Sequence, residues 1–433
     1  MHFPKAIYPI LAALSLPLAV PLFAQTAVPS PVVRVLTIEQ AVTEAIDNNL
    51  GVLAERANIP VAEATLISAR LKPNPVVSIG ADHLDVLGTR FNTINNAGPN
   101  EINARIDFLI ERAHKREFRV ETAQFNRQIA ESRLAEAIRT LRITIVTACV
   151  DLIQAKANLS LSQEILKNYE ELFQINESRV NAGSVSPLEL VRSRVAMLQF
   201  RGQVQRAQLG VVKARTRLQG LLGPQALGQI IDITGELKVP LAPATLPLDK
   251  LDTLAVESRP ELQTVRLSAM RSAAELKLQL ANAKVDYTYG TEYRRQQGVN
   301  GTSNSMGVFL SVPLPVNNKN QGEIARVEAE QKLYARQLAA LAANARNEVH
   351  AAYDSFVSSR ELVEMIERDL LDNARKARDT AGYVYRAGAS SLLEFLDAQR
   401  ALNDSMQSYQ EALGDYRRAV VNLNASVNKE IIE

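Results

Sequence analysis

Four side chains with acid or hydroxyl chemistry sit beside two short turns in this 433-residue chain. Glu189 follows the turn AGSVS, Tyr385 precedes the turn AGAS, and Glu394 and Asp397 come after it. Acids three residues apart share one helix face. At a helix start they complement the dipole. Elsewhere reactive groups are sparse. His83, His114, His350 and the lone Cys149 contain no pair at metal-ligand spacing. The two later histidines read as helix-surface or seam residues, and Cys149 as a small buried apolar side chain. No nucleophile triad, carboxylate dyad or phosphate loop occurs, so a non-enzymatic protein without metal or cofactor is expected.

Those few groups must be positioned by a long, helix-rich scaffold. Only 19 residues are Gly, and 46% are apolar against 22% charged, which excludes a mostly disordered chain. Lys plus Arg is 49 and Asp plus Glu is 47, a balance that argues against nucleic acid as partner. Residues 1–24 carry Lys5, an apolar run from Ile10 to Phe23 and then Ala24, the pattern of a secretory signal peptide cut after Ala24. No Cys follows that run to take a lipid. No later segment is apolar enough for a membrane-spanning helix, so any membrane span must be built from strands.

Neither Gly nor Pro occurs between Pro99 and Gly183, nor between Gly322 and Gly382. Within the first stretch Leu134, Ile138, Leu141, Ile145, Ala148, Leu152, Ala155 and Leu159 step by four and three, a heptad seam. The second repeats the rhythm at Val349, Ala352, Phe356, Val363, Ile366 and Leu370. A third seam runs Leu402, Met406, Tyr409, Leu413, Tyr416, Val420, Leu423, Val427. Long helices over about 113–181 and about 321–385 follow, the first roughly 100 Å long. Each ends at a tip, about 182–187 and about 386–391, and returns as a helix over about 188–222 or 392–428. Ser186 caps the first return helix with Pro187 at its first position, and Ser390 or Ser391 caps the second.

The two hairpins match at Ala182, Gly183, Leu188 and Glu189 against Ala387, Gly388, Leu393 and Glu394, and Gly80 falls opposite Gly290. Residues 25–238 and 239–433 are therefore two copies of one unit, joined by the Pro-rich run VPLAPATLPLDK (239–250). In each copy a region before the long helix, about 75–110 and about 285–314, changes to a period of two. Ile102, Ala104, Ile106, Phe108 and Ile110 alternate with polar residues, as do Tyr287, Tyr289 and Tyr293, and Met306, Val308, Leu310 and Val312; Val77, Ile79 and Ala81 make a weaker fourth strand. Alternating strands of about ten residues suit an outer-membrane barrel, and equally a small soluble sheet packed on helices. The export signal favours the barrel. Four strands cannot close one, because bacterial barrels need at least about eight and open edges cannot sit in lipid.

The arrangement resembles the TolC-type outer-membrane efflux channels along the whole mature chain. SVPLPVNNKNQGEIARVEAEQ (311–331) and KPNPVVSIG (72–80) resemble the heavy-metal-efflux branch, the CzcC and CusC relatives. The resemblance implies a mainly α channel-tunnel with four β-strands and long coiled-coil helices per protomer. As a homotrimer this gives a 12-stranded barrel in outer-membrane lipid and a 12-helix barrel in the periplasm. It implies a periplasmic adaptor and an RND-type inner-membrane pump as partners, with the channel conducting passively. Glu189 and Tyr385 match a family pair that bridges hairpins in the closed state; the plainer reading is a surface Tyr and an N-terminal-turn Glu. Glu394 and Asp397 match acids that ring the periplasmic entrance, while the family's latch Arg position falls on Ser390, leaving Arg386 as the nearby Arg. Gly183, Ser184, Val185, Gly388, Ala389 and Ser390 are the tip residues implied for adaptor docking. Drug efflux or type I protein secretion would use the same fold, and a periplasmic coiled-coil adaptor or scaffold is the reading of another class.

Overall fold

The computed structural model describes residues 33–84, 86–88, 100–243, 247–298 and 301–432; the expected signal peptide lies outside them. The first repeat runs β1 (Val33–Leu36), α1 (Ile38–Asn48), α2 (Leu50–Arg70), β2 (Val76–Asp82), β3 (Glu101–Ile110), α3 (Lys115–Asn181), α4 (Pro187–Leu222) and β4 (Ile230–Ile233). The second runs α5 (Leu248–Ser258), α6 (Pro260–Asn282), β5 (Tyr287–Gly298), β6 (Gly301–Ser311), α7 (Gln321–Met365), a π-turn (Ile366–Leu370), α8 (Leu371–Arg386) and α9 (Leu392–Ser426). Both repeats enter their long helix through a left-handed residue, His114 (φ 58°) and Asn320 (φ 62°). The corners are held by polar contacts: Lys115 Nζ reaches the Lys284 carbonyl at 2.7 Å and Asp286 at 2.8 Å, and Asn320 Nδ2 reaches the Gln279 carbonyl at 2.8 Å.

Apolar side chains that step by three and four hold α3, α7 and α9 together. Ile145, Leu152, Phe356, Tyr416 and Leu423 are fully buried in one core, with the Phe356 and Tyr416 rings 5.9 Å apart. The Tyr416 hydroxyl accepts a hydrogen bond from the Ala242 amide at 2.8 Å, and Arg417 donates to the Glu236 carbonyl at 2.8 Å. The connector between repeats is thereby belted across α9. Cys149 lies in the same core, where burial pushes its thiol up to about 12.

One seam expectation is corrected. The second long helix runs from Gln321 to Arg386 without a non-helical residue, but its pitch changes at the π-turn, where the Leu371 amide bonds back to the Ile366 carbonyl, five residues earlier. Leu370, expected on the seam, is 39% exposed, and Leu371 is buried in its place at 6%. The wider turn absorbs one extra residue, so the buried positions step Val363, Ile366, Leu371 and Ala374.

The four strands form one antiparallel sheet ordered β2-β3-β5-β6, so the repeats meet at β3 and β5. Register aligns Ile79, Ala104, Tyr293 and Met306 in one row, and Val77, Ile106, Thr291 and Val308 in another. This apolar face is bare: Ile79 is 79% exposed and Met306 82%. The opposite face is covered along its middle strands β3 and β5. Arg294 pairs with Glu101 and Glu292, both nearly buried, Arg105 pairs with Asp107, and the Arg105 guanidinium lies 4.5 Å over the Phe309 ring. Gly80 and Gly290 make room for this face, because a Cβ at either would strike Asn103 or Asp107. A soluble sheet on helices would be covered the other way round. Among the described residues no helix is long and apolar enough to cross a membrane.

The seam slip has a direct test. Leu371→Ala should cost about 2–5 kcal/mol, as for other buried Leu truncations, and Leu370→Ala well under half of that. Denaturant midpoints of the detergent-solubilised protein compare them; a larger loss at Leu370 would place the seam where the unbroken heptad puts it.

Candidate functional site: the paired helical tips

Both tips are built by one device. At the end of α3 the Gly183 amide bonds to the Val180 carbonyl at 2.9 Å and the Ser184 amide to the Arg179 carbonyl at 2.8 Å. At the end of α8 the Gly388 amide bonds to Tyr385 and the Ala389 amide to Val384, each at 3.0 Å. This double closure needs a left-handed residue, and Gly183 (φ 71°) and Gly388 (φ 77°) supply it. The return helices start on side-chain caps. Ser186 accepts from the Leu188 amide with Pro187 following, and Ser391, not Ser390, accepts from the Glu394 amide. Gly183, Ser184, Gly388 and Ala389 are exposed, whereas Val185 and Ser390 are half-buried, Ser390 with a hydroxyl that has no partner.

Tyr385 is buried at 5% exposure, not a surface residue, and it joins the two hairpins. Its hydroxyl lies 2.8 Å from Asn176 Oδ1 on α3 and 3.2 Å from Glu189 Oε2 on α4. A phenol has one proton for two acceptors, while Asn176 Nδ2 is buried without a partner. Turning the amide over lets Nδ2 donate to the phenol and frees the phenolic proton for the Glu189 carboxylate. Phe395 stacks on the Tyr385 ring at 5.7 Å, and the Arg179 guanidinium lies 5.2 Å over it while donating to the Arg386 carbonyl. Burial, then the Glu189 charge, raises the pKa of the phenol above its ordinary value, so it stays protonated and able to donate. A small core of Leu161, Ile165, Tyr169, Leu172, Leu392 and Leu396 backs the contact.

The structure thus brings Glu189 and Tyr385 together and leaves the other pair apart from them. Glu394 and Asp397 are both exposed on α9, and Asp397 is paired with Arg400 at 3.5 Å, which offsets its charge. Glu394 instead edges a groove of about 430 Å³ with Lys376, Ala377, Thr380, Ala381, Val384 and Ser390. Sequence reasoning missed Asn176 and Arg179. The signal was present: Asn176 follows Leu161, Ile165, Tyr169 and Leu172 at seam spacing, a polar residue where the stripe requires an apolar one. Of the histidines, His350 contacts Asp252 at 3.1 Å and His114 lies 4.0 Å from Glu117. Among the described residues no group of His, Cys, Asp and Glu could hold a metal ion.

Comparison with known proteins supplies the context for this geometry. The outer membrane efflux protein family matches residues 41–224 and 253–429, one match in each repeat. The cobalt-zinc-cadmium resistance protein CzcC of Cupriavidus metallidurans is 25% identical over 391 residues, covering 90% of this chain and 89% of CzcC. The cation efflux system protein CusC of Escherichia coli O6:H1 is 25% identical over 263 residues, 59% of this chain and 56% of its own. A crystal structure of CusC superposes with a TM-score of 0.73 at 18% identity, covering 90% of this chain and 92% of that one. Two matched repeats, the channel-tunnel fold and the paired tips agree: the chain belongs to the outer membrane efflux protein family and is a non-enzymatic protein of the outer membrane.

Proposed function

We propose that three copies of this chain form the exit channel of a tripartite efflux system, docking a periplasmic adaptor beneath which an RND-type pump drives export. The sheet carries the reading. Its bare apolar face suits lipid, and its outer strands β2 and β6 leave two unpaired edges that further copies must satisfy. The helical edges support a head-to-tail ring. On α4, Leu188, Val191, Val195 and Leu198 form an exposed seam, whereas the groove beside α8 is lined by Ala377, Thr380, Ala381 and Val384. Large side chains on one edge and small ones on the other fit an unlike-to-unlike interface that closes by rotation.

At the periplasmic end, the Tyr385–Glu189 contact is the tie that keeps the second hairpin against the first, and therefore the entrance narrow. Glu394 from three copies adds an acidic collar that attracts cations, to which Asp397 contributes less because of Arg400. Heavy-metal cations are the cargo this reading favours, since CzcC and CusC are named for cobalt, zinc and cadmium resistance and for cation efflux. The chain conducts them without coordinating them. Gly183, Ser184, Val185, Gly388, Ala389 and Ser390 present the two small-residue tips to the adaptor.

Three outcomes test this. Glu189→Ala should raise single-channel conductance in planar bilayers; unchanged conductance removes the tie. Val308→Arg should cost about 2–4 kcal/mol and deplete the heat-modifiable outer-membrane form, whereas Ser305→Arg on the polar face should be tolerated. Gly388→Leu should abolish resistance while the channel remains abundant in the membrane. No Cβ clash awaits that side chain, so only the left-handed backbone opposes it; loss of the channel itself would assign the glycine to folding.

A further inference from the structure

Among the described residues, the π-turn at Ile366–Leu370 has no counterpart in the first repeat. Its counterpart α3 runs unbroken for 67 residues between equivalent corners and tips. We infer that this turn is the pivot about which the tip half of the second hairpin swings, and that Lys238, Glu367 and Tyr409 form the clasp that holds it closed. The inference rests on the gate reading above and adds where the moving part begins.

Three observations converge on it. The first is the slip itself. An unbroken heptad would bury Leu370; the chain instead spends five residues between buried positions, Ile366 and Leu371. Such a turn widens the helix and loosens the backbone ladder locally, which is where helices bend. The second is the packing on either side. Val349, Phe356, Val363, Ile366 and Leu371 belong to the main core, whereas Tyr385 belongs to the separate small core at the tip. Between Ala374 and Gly382, α8 buries no side chain within the protomer, and its groove there is the one assigned above to a neighbouring copy. The turn thus lies at the lower end of the main core, above the small cluster at the tip.

The third is the clasp. Glu367 lies within the turn, and its carboxylate takes Lys238 Nζ at 2.6 Å from the belt between repeats and the Tyr409 hydroxyl from α9. The belt is itself anchored on α9 through Tyr416 and Arg417, so one carboxylate ties the turn to both the first repeat and the returning helix. Lys238 is 67% exposed on its side chain, and a clasp at the surface releases without opening the core.

Spin-label distances in the detergent-solubilised full chain test the pivot without requiring conductance. In a Cys149→Ala background, one label pair below the turn (Glu177→Cys with Lys376→Cys) reports hairpin separation. A pair above it (Arg142→Cys with Arg346→Cys) is the control. Glu367→Gln and Lys238→Met should each broaden and lengthen the lower distribution and leave the upper one unchanged. Deleting Leu370 restores the three-four rhythm through Ile366 and the former Leu371, so the seam below keeps its phase; with either clasp substitution present, this deletion should return the lower distribution to a single narrow distance. Equal broadening above and below, or a deletion variant as broad as its parent, overturns the pivot. Should the deletion variant fail to fold, the two clasp substitutions still decide by the same contrast. Labels that move while Glu189→Ala leaves conductance unchanged would sink the gate and keep the pivot.

Discussion

A helix of 67 residues can fix its far end only through side chains repeated along its length. Packing that steps by three and four does this for α3, α7 and α9, from the corner at His114 and Asn320 to the tips some 100 Å away. A tip contact such as Tyr385 to Glu189 requires register kept to a fraction of an ångström across two hairpins from different repeats. That register is the accumulated product of Ile145, Leu152, Phe356, Tyr416 and their neighbours, each of which excludes a one-residue slide. Where the second helix carries one residue too many for the rhythm, a π-turn absorbs it rather than letting the phase below drift.

The sheet shows the same economy with polarity reversed. Its best-covered side chains are Glu101 and Glu292, tied to Arg294, and its barest are Ile79, Met306 and Val308. In water this arrangement exposes apolar surface and desolvates charge, and both terms oppose folding. In a bilayer the first term changes sign and the second is met by the paired charges. The sheet is therefore built for lipid on one side and for a polar lumen on the other, and its two open edges require other copies of the chain.

Seam, tips and strand faces were legible in the sequence because each rests on local periodicity or on a residue with one conformational use, Gly183 and Gly388 above all. The interruption of the second helix was not. Leu370 and Leu371 are adjacent and chemically identical, and which one is buried depends on the helix they pack against, not on the run itself. Nor could sequence choose between Ser390 and Ser391 as cap, since either hydroxyl suits; the backbone path after Gly388 decides for Ser391. Tyr385 and Glu189 were singled out by resemblance, yet the burial of that tyrosine and its contact with Asn176 emerge only when two hairpins are laid side by side.

Repetition with local differences makes the two tips chemically unequal. The equivalent of Tyr385 in the first hairpin is Val180 and that of Asn176 in the second is Ala381, so only the second hairpin carries the aromatic hydroxyl and only the first the amide, while the Glu189 position is Glu in both, as Glu394. The contact is directional: the second hairpin reaches for the first. The same hairpin has the π-turn, the sparsely buried stretch of α8 and the clasp at Glu367, whose carboxyl is held below its usual range by Lys238 and then by Tyr409. The surroundings reinforce the state each group already holds at neutral pH: burial raises the phenol of Tyr385, and the Lys238 contact lowers the carboxyl of Glu367. Two hairpins of like design thus differ in a handful of polar residues and in one turn of helix.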